Sequence, residues 1–478
     1  MAPLRSYLPD SVRNVGAGVL HRLVAIPGLP ILVGAAVLAR LRRPSRRKRP
    51  RIVWGPEPLL SYAHWSRAMR KAGHESETVM HSVYSRINQQ DDFDVLYEDI
   101  APPRWAFLLG PYKAFIRSLF RADVFQHHYA GGFLSSTPLW RFEAQLLHVA
   151  GAKVVTQAHG DDAHLSSQIA DLSLRHALLS SYPLLARNEA RTKRRVLYWT
   201  QHSDCTFGGL MMDGLGRWDV LPSSIATVDV GVWRRTHPYT RADGYNGPVR
   251  IAHAPNHRGF KGTEFILAAI EQLQGEGLDI ELKLLEGYQN ADIRRIFTSE
   301  VDVLVDQIIA TGYALNAVEG MAAGLPVVAN LEDDQLTGVL RRYSYLEECP
   351  ILSATPETIA DRLRALVTDP DLRERLGRAS EAFAAKYHSD EAAAYLYGSI
   401  YRRIWNGEEI ALLDLFHPLK SEYNRATPVI EHGLVRNQLP GEIPVEETVA
   451  EAGTAGDGRG RFARSATGAP PVLRRPPT

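Results

Sequence analysis

The feature that most restricts the fold is a rhythm: short apolar runs end in polar or glycine-rich loops, each leads into a helical stretch, and the pattern plays through twice. "RIVWG" gives way to the turn "PEPLL" and the helical "SYAHWSRAMRKAGHES"; "ADVFQHHYAGG" leads through "PLWRFEAQLLHVAGA" into "KVVTQAHGDD". After a Gly- and Pro-bearing connection, "RRTHPYTRADGYNGP", it restarts with "VRIAHAP", "TEFILAAIEQLQGEG", "LDIELKLLEG", "NADIRRIFTSE" and "VDVLVDQ". Strands alternating with helices predict parallel sheets covered on both faces, with sites at the C-terminal ends of the strands. The expected class is α/β, with one domain over 51–235, a second over 248–390, and a C-terminal helix and extension over 391–425. At 478 residues the chain also exceeds what one hydrophobic core holds.

The totals are those of an ordinary globular protein: 45% hydrophobic, 23% charged and a formal charge of +1, which gives no reason to expect nucleic acid as a partner. Two cysteines far apart, Cys205 and Cys349, argue against a disulfide framework or a thiolate metal cluster. No repeat of fixed period is present. From residue 430 to 478 the chain turns rich in Gly, Pro, Ala and Arg, and a disordered tail is expected.

The first 50 residues are unusual. An apolar run over 23–39 is followed directly by Arg40, Arg42, Arg43, Arg46, Arg47, Lys48, Arg49 and Arg51. A span needs about 20 apolar residues, and Pro27, Gly28 and Pro30 are expected to interrupt a helix near its start. The basic block lies on the wrong side for a secretory signal and lacks the interleaved aromatics of a nucleic-acid arm. The reading is a membrane-associating leader, spanning or interfacial, that holds the chain by residues 23–51 on the inner, cytoplasmic face of the cell membrane. A flexible leader is the plain alternative. "PPRWAFLLGPYKAFIRSLF" is a second candidate membrane contact, or a half-buried core helix.

Three loops of the second half carry the groups an anionic nucleotide needs. In "APNHRGFKGTEFI", Arg258 and Lys261 precede a helix N-terminus, where side-chain charge and free N–H groups act together on a diphosphate. In "LLEGYQN", Gly287 permits close backbone approach and Tyr288 can stack. In "ATGYALNAVEGMAAGLPVVANLEDD", Gly312 and Tyr313 precede a helix over 316–323 whose one carboxylate, Glu319, can accept two ribose hydroxyls. Each has a bland counterpart: a surface loop, an ordinary turn, a solvated helix glutamate. In the first half, His127, His128, His159, Asp161 and Asp162 all fall at strand ends.

Together, "AVEGMAAGLPVVA" preceded by "GY", "HRGFKGTEFI" and "HGDD" resemble the retaining glycosyltransferases of family 4, whose fold is GT-B, over residues 51–405. The resemblance implies two Rossmann-like domains facing a cleft, a nucleotide sugar held mainly by the C-terminal one, and transfer without a bound metal or other cofactor. It implies that Arg258 and Lys261 hold the donor diphosphate, that Glu319 holds the ribose, and that His159 in the His-Gly loop lies near the transferred sugar. Asp161 then becomes a candidate catalytic residue beside His159 and Lys261, while His127, His128 and Asp162 become acceptor-side candidates. The family's first motif glutamate falls on Thr311 here, and the Arg-to-Lys spacing is shorter than usual. The expected activity is retaining transfer of a sugar, as by a hexosyltransferase, to a hydroxyl of a lipid-linked or cell-envelope glycan. The alternatives are a nucleotide-sugar epimerase or phosphorylase of the same fold, and a non-catalytic membrane-tethered scaffold.

Overall fold

The structure, a computed structural model, describes residues 10–43, 47–84, 88–160, 162–208, 216–221 and 226–441. The expected tail beyond 441 and Asp161 lie outside the described residues.

A long helix, α1 (Asp10–Arg42), opens the chain. The first domain then runs β1 (Ile52–Trp54), α2 (Leu60–Lys71), β2 (Ser76–Met80), β3 (Val95–Leu96), α3 (Tyr97–Ile100), α4 (Ala106–Arg121), β4 (Val124–His128), α5 (Glu143–Val149), β5 (Lys153–Gln157), α6 (Leu172–Ser181), α7 (Leu185–His202) and β6 (Cys205–Phe207). Its strands form one six-stranded sheet, β3-β2-β1-β4-β5-β6, parallel throughout. The strands are short and almost wholly buried, as runs covered by helices on both faces must be.

The second domain comprises β7 (Val249–His253), α8 (Arg258–Lys261), α9 (Thr263–Gly275), β8 (Ile280–Leu284), α10 (Asn290–Ser299), β9 (Val303–Val305), α11 (Leu315–Ala322), β10 (Val327–Ala329), α12 (Asp334–Tyr343), β11 (Leu352–Ser353), α13 (Ile359–Thr368) and α14 (Pro370–Tyr387). Its parallel sheet has the order β11-β10-β9-β7-β8. The helical stretch after residue 355 is two helices: Asp369 caps α14 by accepting from Leu372 N–H at 2.8 Å, and Pro370 occupies its first turn, where a missing N–H is harmless.

α15 (Asp390–Tyr401) and α16 (Glu422–Ala426) complete the described α-helices, apart from short 3-10 and π turns. α15 crosses back onto the first domain and packs along α2. There Tyr397 donates to Gln157 (3.2 Å) and Tyr401 to Gln126 (2.8 Å), both buried on the first sheet, while the Tyr397 ring meets Trp54 edge-on at 5.1 Å. One apolar core accordingly contains Trp54, Tyr62 and Trp65 together with Tyr387, Tyr397 and Phe416. Residues 430–441 are packed, not loose. Asn437, in a left-handed conformation at φ 63°, donates to the carbonyls of Cys349 (2.6 Å) and Ile351 (2.9 Å), and its own carbonyl accepts from Ser353 N–H on β11.

α1 departs from the sequence expectation, because it runs unbroken through Pro27 and Pro30. Both prolines lie on its exposed side, so the carbonyls they leave unpaired face away from the packed seam. That seam (Ala25, Leu32, Ala36, Ala39) is buried against the α4 and α5 region, and Gly28 lies against the Tyr112 ring. α4 is half core helix, burying Leu108, Tyr112, Phe115 and Leu119.

Candidate functional site

In an open parallel sheet the strand order reverses at one point, and the loops leaving there splay apart to form a crevice. In the second domain that point lies between β7, which pairs with β8 on one side, and β9 on the other. The connection after β7 carries Lys261, the last residue of α8, and the loop after β9 carries Asp306. They meet across the reversal: Lys261 Nζ donates to Asp306 Oδ1 at 2.7 Å and to Gln307 Oε1 at 2.9 Å. Lys261 is 5% exposed and Asp306 1%. Burial works against ionising Asp306. The Lys261 ammonium, with bonds from Ala314 N–H (3.1 Å) and Asn316 Nδ2 (3.4 Å), outweighs that and holds its carboxyl below the usual range.

The local backbone is built to deliver this lysine. Gly262 ends α8 and starts α9 at φ 80°, and a Cβ there would stand 2.5 Å from Ile308. His253, at the end of β7, ties the start of α9 to β9, with Nδ1 donating to the Val305 carbonyl (2.8 Å) and Nε2 accepting from the Thr263 hydroxyl (2.8 Å). Gln307 in turn donates to the carbonyls of Ala310 and Gly312, each at 3.1 Å, and so shapes the loop that holds Thr311.

Glu319 belongs to the same cluster. Its helix, α11, can press against β9 because Gly320 has no side chain; a Cβ there would meet Leu304 at 2.2 Å. Glu319 is 5% exposed and accepts from Asn290 Nδ2, at the start of α10, at 2.9 Å. Burial raises its pKa to about 8, the nearby Asp306 charge adds to the rise, and the Asn290 bond opposes it. Lys261, Asp306 and Glu319 thus form one electrostatically linked group.

The remaining candidates of this domain differ. Arg258 is exposed and engaged, donating to both oxygens of Glu286 (2.8 and 2.7 Å) and to Glu264 (2.9 Å). Gly287 (φ 74°) and Gly312 (φ 102°) border open space, and Tyr288 is half exposed. Tyr313 turns away from the loop, its hydroxyl 3.1 Å from His388 Nε2.

The first sheet reverses between β1 and β4, and a second polar cluster gathers there. Asp162 accepts from the backbone N–H groups of Tyr129 (2.8 Å), His159 (3.0 Å) and Gly160 (2.9 Å), which fixes the His-Gly loop and leaves His159 exposed. His128 Nδ1 accepts from Ala130 N–H at 3.0 Å and lies 3.5 Å from Asp162, so its Nε2 carries the proton and stands 3.9 Å from Glu57. Glu57 also takes His81 Nε2 at 3.2 Å and the Tyr84 hydroxyl. Burial resists the Glu57 charge, but His81 and Tyr84 bond to it and bring its pKa down to about 2. His127 does not join. Its side chain points to the opposite sheet face, 2% exposed on Trp199 at 4.1 Å between centroids, and burial takes its pKa to about 3.

Sequence reasoning missed Glu57, His81, Asn290 and Asp306. For Asp306 a signal existed: it is the charged residue that ends the apolar run "VDVLVD", the position rule that pointed to His128. Among the described residues no group of His, Cys, Asp and Glu has the arrangement of a metal site.

Two Rossmann-like domains, each with a polar cluster at its sheet reversal, are closed by a helix that returns to the first. The fold is GT-B. No family model and no curated protein matches the sequence. Solved structures similar to it include WaaG, a glycosyltransferase involved in lipopolysaccharide biosynthesis (12% identity, TM-score 0.43, 72% of this chain and 98% of that one); the catalytic domain of Starch Synthase IV from Arabidopsis thaliana (10%, 0.43, 75% and 100%); and a protein assigned as a UDP-N-acetylglucosamine 2-epimerase from Listeria monocytogenes (10%, 0.40, 76% and 98%). Likeness at this level is confined to the course of the chain, so the chemistry rests on the side chains described above.

Proposed function

We propose that the chain transfers a sugar from a nucleotide diphosphate sugar to a hydroxyl acceptor, with retention and without a metal. The observation that supports this reading is the linked group Lys261–Asp306–Glu319 at the β7/β9 reversal, with the α9 N-terminus beside it. In this reading Lys261, Arg258 and the α9 amides take charge developing on the leaving diphosphate, the role of preorganised electrostatics. Arg258 and Lys261 exchange part of their carboxylate partnership for phosphate oxygens. The Glu319 carboxylate accepts ribose hydroxyls, as its place beside Lys261 and Asp306 permits. The cluster of the first domain receives the acceptor: Glu57 and Asp162 accept hydroxyl hydrogens, the His128 Nε2–H donates to a hydroxyl oxygen, and His159 reaches the transferred sugar. A lipid-linked or cell-envelope glycan fits a chain held at the inner face of a membrane by residues 23–51.

The test is thermal unfolding with UDP, GDP, ADP and CDP and their sugars, followed by transfer assays with lipid-linked acceptors. A nucleotide at 100 times its dissociation constant stabilises by about 2.7 kcal/mol. Stabilisation by one nucleotide and its loss in Lys261→Met/Asp306→Asn supports the reading; no response to any nucleotide at millimolar concentration overturns it. Conversion of a nucleotide sugar without any acceptor would instead identify an epimerase.

A further inference from the structure

The exposed side of α1 carries a second conclusion, which deepens the membrane reading just given. With Leu32 at the centre of the buried seam, the residues facing away from the domain between Leu23 and Leu41 are Leu23, Ile26, Pro27, Pro30, Ile31, Val33, Gly34, Val37, Leu38 and Leu41, by the 100° step of an α-helix. None is polar. Ile26 and Leu41 are 77% and 76% exposed, and the face is about 27 Å long at 1.5 Å per residue. A bare apolar strip of that length is not left to water.

The opposite side of the same helix is occupied. Ala25, Leu32, Ala36 and Ala39 are buried in the domain, Arg40 abuts Gly151, and Arg43 closes the end with a 2.7 Å ion pair to buried Asp123. A helix crossing a bilayer would have to strip this seam from α4 and bring its tyrosine and serine hydroxyls into view. The charge pattern names the occupant. No Asp or Glu occurs from Ser11 to Pro56 or from Pro102 to Ala122. Exposed Arg22, Arg40 and Arg42 flank the strip, and Trp105 and Phe107, exposed just before and at the start of α4, continue it next to His21.

We propose that α1 lies flat in a single leaflet of an anionic bilayer, its outer face among the acyl chains and its inner face fixed to the first domain, so that the chain is monotopic and does not span. Basic residues then reach anionic headgroups, and Trp105 occupies the interface favoured by its amphipathic ring.

The full chain is tested by flotation with phosphatidylcholine vesicles, with and without 30% phosphatidylglycerol, and by labelling in inverted membrane vesicles. The expected results are at least tenfold tighter binding with the anionic lipid and loss of binding in Ile26→Asp/Val37→Asp, which changes only exposed positions. The nucleotide-induced thermal shift should stay intact in that variant, which separates failure here from failure of the transferase reading. Because Cys205 and Cys349 are buried, single cysteines at Ser6→Cys and Lys48→Cys report topology through an impermeant maleimide, and both should label from the same side. Labelling from opposite sides, unchanged flotation of the double variant, or self-association in place of lipid binding each overturns the proposal.

Discussion

At the β7/β9 reversal a lysine, two acidic residues and three amides are packed so tightly that Lys261 and Asp306 are almost out of contact with solvent; at the β1/β4 reversal Glu57 and His81 keep about a third of their side chains exposed. The same topological position therefore holds two kinds of site. The closed cluster exchanges charge among its own members and fixes geometry, which suits a ligand of constant shape such as a diphosphate. The open one holds Asp162 by three backbone N–H groups and leaves Glu57 reachable, which suits a hydroxyl-bearing acceptor that varies.

Substitutions in the closed cluster should be the most damaging. Asp306→Ala leaves the Lys261 ammonium buried without its counter-charge and should lower stability by about 3–5 kcal/mol in urea unfolding, with Lys261→Met/Asp306→Leu recovering most of it. A loss below about 1 kcal/mol would mean the pair is open to water and the contrast between the domains fails. Next comes catalysis: the folded double variant Lys261→Met/Asp306→Asn should transfer sugar more than 100-fold more slowly, about 3 kcal/mol in the barrier.

Glu319 separates the two regions by pH. Its pKa of about 8 in the folded chain exceeds that of the unfolded chain. From pH 5 to 8 the unfolded state therefore loses the proton first, and stability falls as pH rises. Glu319→Gln should flatten that decline by on the order of 1–3 kcal/mol at pH 8, measured as the difference in unfolding midpoints. Glu57 has the opposite sign. Its pKa of about 2 lies under the ordinary 4.5, so its contribution is present above pH 4.5 and disappears as pH falls through 2. Glu57→Gln should shift acid unfolding by under about 1 kcal/mol, leave nucleotide-induced stabilisation unchanged and raise the acceptor KM. A lost nucleotide response would join the two clusters into one site.

The sheets were legible because parallel strands are buried on both faces and announce themselves as apolar runs: "RIVW", "KVVTQ", "VRIAH" and "VVA" each coincide with a strand. The edge strand β3 and its neighbour β2 gave no comparable signal, since "SETVM" mixes polar and apolar residues and "VL" is too short. Lys261 and Glu319 stood out as polar residues beside glycines, but their partners did not. Asp306 and Asn290 take their roles from strands and helices brought together by the sheet order, which no local pattern encodes. Pro27 and Pro30 misled for the same reason: a helix docked along its length tolerates a proline that a free one does not.

The clasp of Tyr397 and Tyr401 on Gln157 and Gln126 sets an order of events during synthesis. A nascent chain that has left the ribosome only as far as the end of β6 already holds every strand of the first sheet, yet one wall of its aromatic core remains bare until residues nearly two hundred positions later emerge. Premature stop codons anywhere before α15 should therefore yield chaperone substrates and not a free-standing half-protein.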